Sequence, residues 1–149
     1  MIALKPHVSL KVSNLESSVT FYRAMLGTEP VKYKTDYAKF DLNNPPLNLT
    51  LEVSSSINSG GTLSHLGLQV ESSEDVKQAI SRFQEAGLAT FEEKDRDCCY
   101  ALQDKVWVTD PDGTSWEVFV VKVADTTPET NRQVTPNLES SKTQQPCCN

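Results

Sequence analysis

The chain has 149 residues, 38% of them apolar and 23% charged, the ordinary range for one soluble globular domain and too short for a second large one. Fourteen basic residues face twenty acidic ones, a formal charge of −6, and no Lys/Arg cluster is present that could neutralise a phosphate backbone or an anionic bilayer. Nucleic acid and membrane are therefore excluded as expected partners. No apolar run approaches the roughly 20 residues of a spanning helix, and residues 1–10 lack the basic start and apolar stretch of a signal peptide, so the cytoplasm is the expected compartment.

From the N-terminus, His7-Val-Ser-Leu-Lys-Val12 alternates polar and apolar residues and predicts a half-buried strand, with His7 on its polar face. Asn14 is placed to cap a helix in which Leu15, Val19, Tyr22 and Leu26 recur at helical spacing and which Gly27 ends. Short alternating runs follow at 31–33, 37–42 and 47–53. The order then repeats. His65-Leu-Gly-Leu-Gln-Val70 is a second strand of the same pattern; Ser72 or Ser73 caps a helix with Val76, Ile80 and Phe83 on its apolar stripe and Gly87 at its end. Runs at 89–91, 100–102, 106–109 and 115–121 complete the second half.

The predicted fold class is thus α+β, two βαβββ modules at about 1–55 and 63–124 forming a curved mixed sheet around a metal site, with helices on its apolar face. Residues 125–149 carry Thr, Pro, Asn, Ser and Gln with almost no large apolar side chain, and predict a disordered tail.

The chain contains two histidines, and they occupy the same position in the two copies of the repeat. Glu117, between Trp116 and Val118, is turned by strand parity onto the face that carries His7 and His65. One such residue alone is commonly a hydrogen-bonded structural group. The symmetric trio instead suits a divalent ion held by two imidazoles and a carboxylate with open positions, non-haem Fe(II) above all, with Mn, Ni or Co as substitutes. Glu52, the first-half counterpart of Glu117, is either a fourth ligand or a polar wall residue.

At these residues the chain resembles the vicinal oxygen chelate superfamily, through the first strand and helix, His65-Leu-Gly-Leu-Gln-Val70 and Thr109-Asp-Pro-Asp-Gly-Thr-Ser-Trp-Glu117. That superfamily holds glyoxalase I, extradiol dioxygenases and bleomycin and fosfomycin resistance proteins, so the resemblance does not by itself imply one reaction.

The four cysteines occur as two adjacent pairs, Cys98-Cys99 and Cys147-Cys148, a spacing that reads as thiols rather than a disulfide framework. Cys98-Cys99 lies in the charged stretch 92–100, expected to be a mobile loop in which both sulfurs turn toward one soft centre such as trivalent arsenic. The surrounding Glu92, Glu93, Asp95 and Asp97 outnumber Lys94 and Arg96 and disfavour thiolate, which binding of a thiophilic centre offsets by driving proton loss.

With this pair the chain is similar to the organoarsenical carbon–arsenic lyases of the superfamily, a group related to cadmium-induced proteins. The resemblance implies His7, His65 and Glu117 as catalytic iron ligands, Cys98 and Cys99 as substrate anchors, and Tyr100 as a wall or hydrogen-bond donor beside the substrate. It further implies that Fe(II) and dioxygen convert trivalent organoarsenicals, methylarsonous acid and aromatic arsenicals, to arsenite, in a monomer or a homodimer. Cys147-Cys148 has no counterpart in that scheme. Two other expectations stand beside it: a glyoxalase I or thiol transferase-type enzyme, and a non-catalytic protein that sequesters arsenite or cadmium on Cys98 and Cys99.

Overall fold

The computed structural model describes residues 1, 3–58, 61–98 and 101–124. Its elements are β1 (His7–Val12), α1 (Leu15–Leu26), β2 (Lys32–Tyr33), β3 (Tyr37–Asn43), β4 (Pro46–Val53), β5 (Leu66–Gln69), α2 (Ser73–Glu85), β6 (Phe91–Cys98), β7 (Ala101–Thr109) and β8 (Ser115–Val123). The βαβββ unit is used twice, as the sequence predicts. The expected tail lies outside the described residues, and among those described no helix is long and apolar enough to cross a membrane.

Local chemistry sets the helix ends. Asn14 Oδ1 accepts the Ser17 amide at 2.9 Å, and Gly27 closes α1 at φ 66°, a left-handed conformation that costs glycine little. Ser72, rather than Ser73, caps α2, in a reciprocal box with Asp75. Leu15, Val19 and Tyr22 are buried as expected; Met25 takes the fully buried place at the end of the stripe, and Leu26 is only partly covered.

The two modules of the expected α+β fold each contribute a four-stranded mixed sheet, β1-β4-β3-β2 and β5-β8-β7-β6. In each, the first strand runs parallel to the last and the other pairs are antiparallel. β1 and β5 end their sheets without pairing to each other; an apolar cleft of about 240 Å³ lined by Pro6, Val8, Leu66, Leu68 and Trp116 lies between them.

What joins the modules is buried and polar as well as apolar. Tyr22 on α1 donates to Asp110 Oδ2 at 2.7 Å and accepts from Trp116 Nε1 at 3.1 Å. Burial, and then the charge of Asp110, push the Tyr22 phenol well above its usual pKa, so it remains a donor. The other oxygen of Asp110 accepts the amides of Asp112 and Thr114, shaping the turn that launches β8. One tyrosine thus ties the first module to the turn preceding Glu117.

The charged stretch expected as a loop is the edge strand β6, which the runs at 89–91 and 100–102 only bracket. Charged side chains suit an edge strand, where solvation is available and pairing with another chain is discouraged. A bulge interrupts its ladder between Glu93 and Arg96, and there Asp95 adopts φ 50°. Asp104 of β7 pins the bulge: Oδ1 accepts the Asp95 amide at 2.8 Å, while Oδ2 accepts Ser73 Oγ and lies 2.7 Å from Lys122 Nζ. Burial disfavours the Asp104 carboxylate, but these donors outweigh it and hold its pKa below the ordinary range.

Tyr22→Phe leaves Asp110 and the Trp116 indole each short of a buried partner and is expected to cost about 1–3 kcal/mol in chemical denaturation, whereas Tyr33→Phe, at an exposed ring, should cost nothing measurable. Because the folded carboxylate titrates lower than the unfolded one, Asp104 contributes stability that is present at neutral pH and lost as pH falls through its depressed pKa. The stability gap between the parent and Asp104→Asn should therefore be wide at neutral pH and close in acid, as read by unfolding curves across that range.

Candidate metal centre

β5 and β8 run parallel with Gly67 opposite Glu117. Trp116 and Val118 pack into the core, so alternation turns Glu117 to the opposite face. Gly67 makes the room: a Cβ there would lie 3.0 Å from Glu117 Cγ and 3.3 Å from Oε1. A bulkier residue would push the carboxylate away from its present partners.

Glu117 is 8% exposed, and a carboxylate so buried needs compensation. Lys105 of β7 supplies it, with Nζ 2.9 Å from Glu117 Oε2. The ammonium also lies over the rings of Trp107 and Phe119, 5.4 and 5.9 Å from their centroids. The second oxygen, Oε1, faces His65 Nε2 at 3.7 Å.

His65 stands immediately before β5 rather than within it. Its Nδ1 lies 2.9 Å from Ser64 Oγ, and the edge of Trp107 fixes the ring at 5.0 Å between centroids. His7 opens β1 and is exposed, with Nδ1 3.2 Å from both the main-chain and side-chain oxygens of Asn48. An imidazole whose Nδ1–H is given to an oxygen keeps its lone pair on Nε2, the tautomer a metal ligand requires. The oxygens of Asn48 are acceptors and favour that tautomer at His7, whereas the Ser64 hydroxyl beside His65 can donate or accept.

The structure brings two members of the expected trio together and leaves one apart. Nε2 of His65 and Oε1 of Glu117 are 3.7 Å apart, slightly wider than the about 2.8–3.6 Å that two donors each about 2.0–2.2 Å from one ion span at octahedral to tetrahedral angles. Among the described residues no three His, Cys, Asp or Glu side chains gather within reach of a common ion. His7, on the other sheet, is outside the pair, as is Glu52, exposed near the end of β4. The donor chemistry of the pair fits a divalent cation, with the third place unfilled by His7 in this arrangement.

Cys98 is the last residue of β6 and pairs with Ala101, while Glu117 pairs with Trp107. These rungs are six positions apart on β7, about 20 Å along an extended strand. Cys99, Tyr100, Cys147 and Cys148 lie outside the described residues.

Sequence reasoning missed Lys105 and Trp107. The signal was parity: once β7 extends back to Ala101, Gln103, Lys105 and Trp107 fall on one face, while Val106 and Val108 fall on the other.

Residues 6–118 match the Glyoxalase/Bleomycin resistance protein/Dioxygenase superfamily. A trivalent organoarsenical cleaving enzyme of Bacillus sp. (strain MD1) is 46% identical over 147 residues, covering 95% of this chain and 88% of that protein. One of the same name from Thermomonospora curvata is 49% identical, over 77% of this chain and 76% of that protein, and the cadmium-induced protein CadI of Mycobacterium tuberculosis is 47% identical, over 76% and 74%. Among solved structures, a glyoxalase/bleomycin resistance protein/dioxygenase of Alicyclobacillus acidocaldarius superposes with a TM-score of 0.65 at 13% identity, over 79% of this chain and 91% of that one. The fosfomycin resistance protein FosX of Listeria monocytogenes does so at 0.62 and 20% identity, over 80% and 94%. Paired βαβββ modules, a histidine and a glutamate meeting on one sheet face, and these similarities together establish that the chain belongs to the glyoxalase/bleomycin resistance protein/dioxygenase superfamily.

Proposed function

We propose that the protein cleaves the carbon–arsenic bond of trivalent organoarsenicals as an Fe(II)-dependent, dioxygen-consuming lyase. The carrying observation is the similarity to relatives named for that cleavage, over 95% of this chain in one and 77% in another. The His65–Glu117 pair adds physical support, since it offers a cation one imidazole and one carboxylate oxygen. His65, Glu117 and His7 would hold the iron, which when bound supplies a centre for activating dioxygen.

For methylarsonous acid the overall change balances without an external reductant: CH3As(OH)2 and O2 give As(OH)3 and HCHO. The four electrons that dioxygen takes are those the methyl carbon loses, and arsenic stays trivalent. Cys98 and Cys99 would displace the two hydroxyls of the arsenical as two waters, so the carbon–arsenic bond no longer has to find the centre from solution. Tyr100 adjoins that anchor in sequence and would wall the bound arsenical.

Two distances must close for this chemistry. The rung of Cys98 must approach that of Glu117, which requires the end of the β6–β7 hairpin to fold back from the bulge at Asp95. His7 must reach the pair, delivered by a second copy of the chain or by closure of a single one. The separation of the thiol rung from the pair favours a second reading, capture of arsenic or cadmium on the thiols without cleavage.

Iron-loaded protein given methylarsonous acid in air is expected to release arsenite and formaldehyde in equal amounts. Tight retention of unchanged arsenical supports sequestration and sinks the lyase. Cys98→Ser should lower turnover at least about 100-fold with iron content unchanged, since it removes one anchoring bond. Neither His7→Ala nor Glu117→Gln should hold iron alone; their mixture regains part of the iron if a second copy delivers His7, and none if each chain completes its own site.

A further inference from the structure

We infer that Lys105 is a positioning residue that makes Glu117 a one-oxygen donor and denies a bound cation the second carboxylate oxygen. This deepens the metal reading above and rests on it. The two oxygens of Glu117 have different partners: Oε2 is taken by Lys105 Nζ at 2.9 Å, and Oε1 is directed at His65 Nε2, 3.7 Å away.

Lys105 cannot easily release its oxygen. Its side chain is 3% exposed, and Trp107 and Phe119 enclose the ammonium, so leaving Glu117 would strand a charge with little water to receive it. On the other side Gly67 admits this placement, since a Cβ there would lie 3.0 Å from Glu117 Cγ and 3.3 Å from Oε1. An ion approaching His65 therefore meets one carboxylate oxygen with free lone pairs and one already engaged.

Two consequences follow from elementary electrostatics. A carboxylate bound through one oxygen occupies one coordination position instead of two, leaving an additional position for other ligands. The ammonium also lies one carboxylate away from the cation and repels it, so the pair binds a divalent ion more weakly than an unopposed carboxylate would. Lys105 thus trades affinity for an open coordination position.

The test uses the full chain loaded with Co(II), whose visible absorption reports coordination number. Lys105→Met keeps the length and apolar stem of the side chain while removing the charge. It is expected to bind Co(II) at least about tenfold more tightly, by competition with a chelator, and to change the visible spectrum as the freed oxygen coordinates. Unchanged or weaker binding with an unchanged spectrum, in protein that keeps its circular dichroism, overturns the role. If Lys105→Met does not fold, the parent protein decides by infrared difference spectroscopy with carboxylate-labelled glutamate. Widely separated carboxylate stretches in the Co(II) form support one-oxygen binding, and a narrow separation overturns it. Absence of any Co(II) binding by the parent overturns the metal reading as well, whereas binding with a chelating carboxylate overturns only the role of Lys105.

Discussion

A negative charge buried inside a β-sheet sets the terms for the site. Glu117 is carried inward by the strand that also buries Trp116 and Val118, and a carboxylate in that environment must be neutralised. The chain supplies a buried lysine on the neighbouring strand, a glycine on the other neighbour to admit the side chain, and an imidazole facing the oxygen that the lysine leaves. Each of these features answers the same electrostatic demand. The lysine neutralises part of the carboxylate's charge from within the protein.

The repeat explains how so few residues reach this arrangement. Each module orders its strands so that the first lies parallel beside the last, which places a residue near the start of one next to residues near the start of the other. In the second module this brings His65 beside Glu117. In the first, the equivalent neighbourhood holds His7 and Asn48, an amide that orients the ring through Nδ1. The halves share a backbone plan and differ in what they offer a cation.

Much of this could be read from residue order. Alternation in β1 and β5, the Asn14 and Ser72 caps and the glycine stops were legible because each is decided within a few residues by backbone and capping chemistry. The pairing of His65 with Glu117 was legible through parity. The division into two sheets was not, because no local pattern says whether β1 and β5 share hydrogen bonds. For the same reason the place of His7 relative to the pair depends on how the modules sit together. β6 was hidden because alternating charges on an edge strand carry no apolar period. Lys105 was hidden because a lysine is ordinarily a solvated residue, and only its burial shows otherwise.

Arg82, on the second helix, reaches across to the first. Its guanidinium donates to the carbonyls of Ala24 and Met25, oxygens in the last turn of α1. Those carbonyls form the negative end of the helix dipole and have no partner further along their own helix. The first half of the chain therefore terminates its helix with a residue the second half provides. A charge that crosses the seam thus couples the end of one repeat's helix to the other repeat.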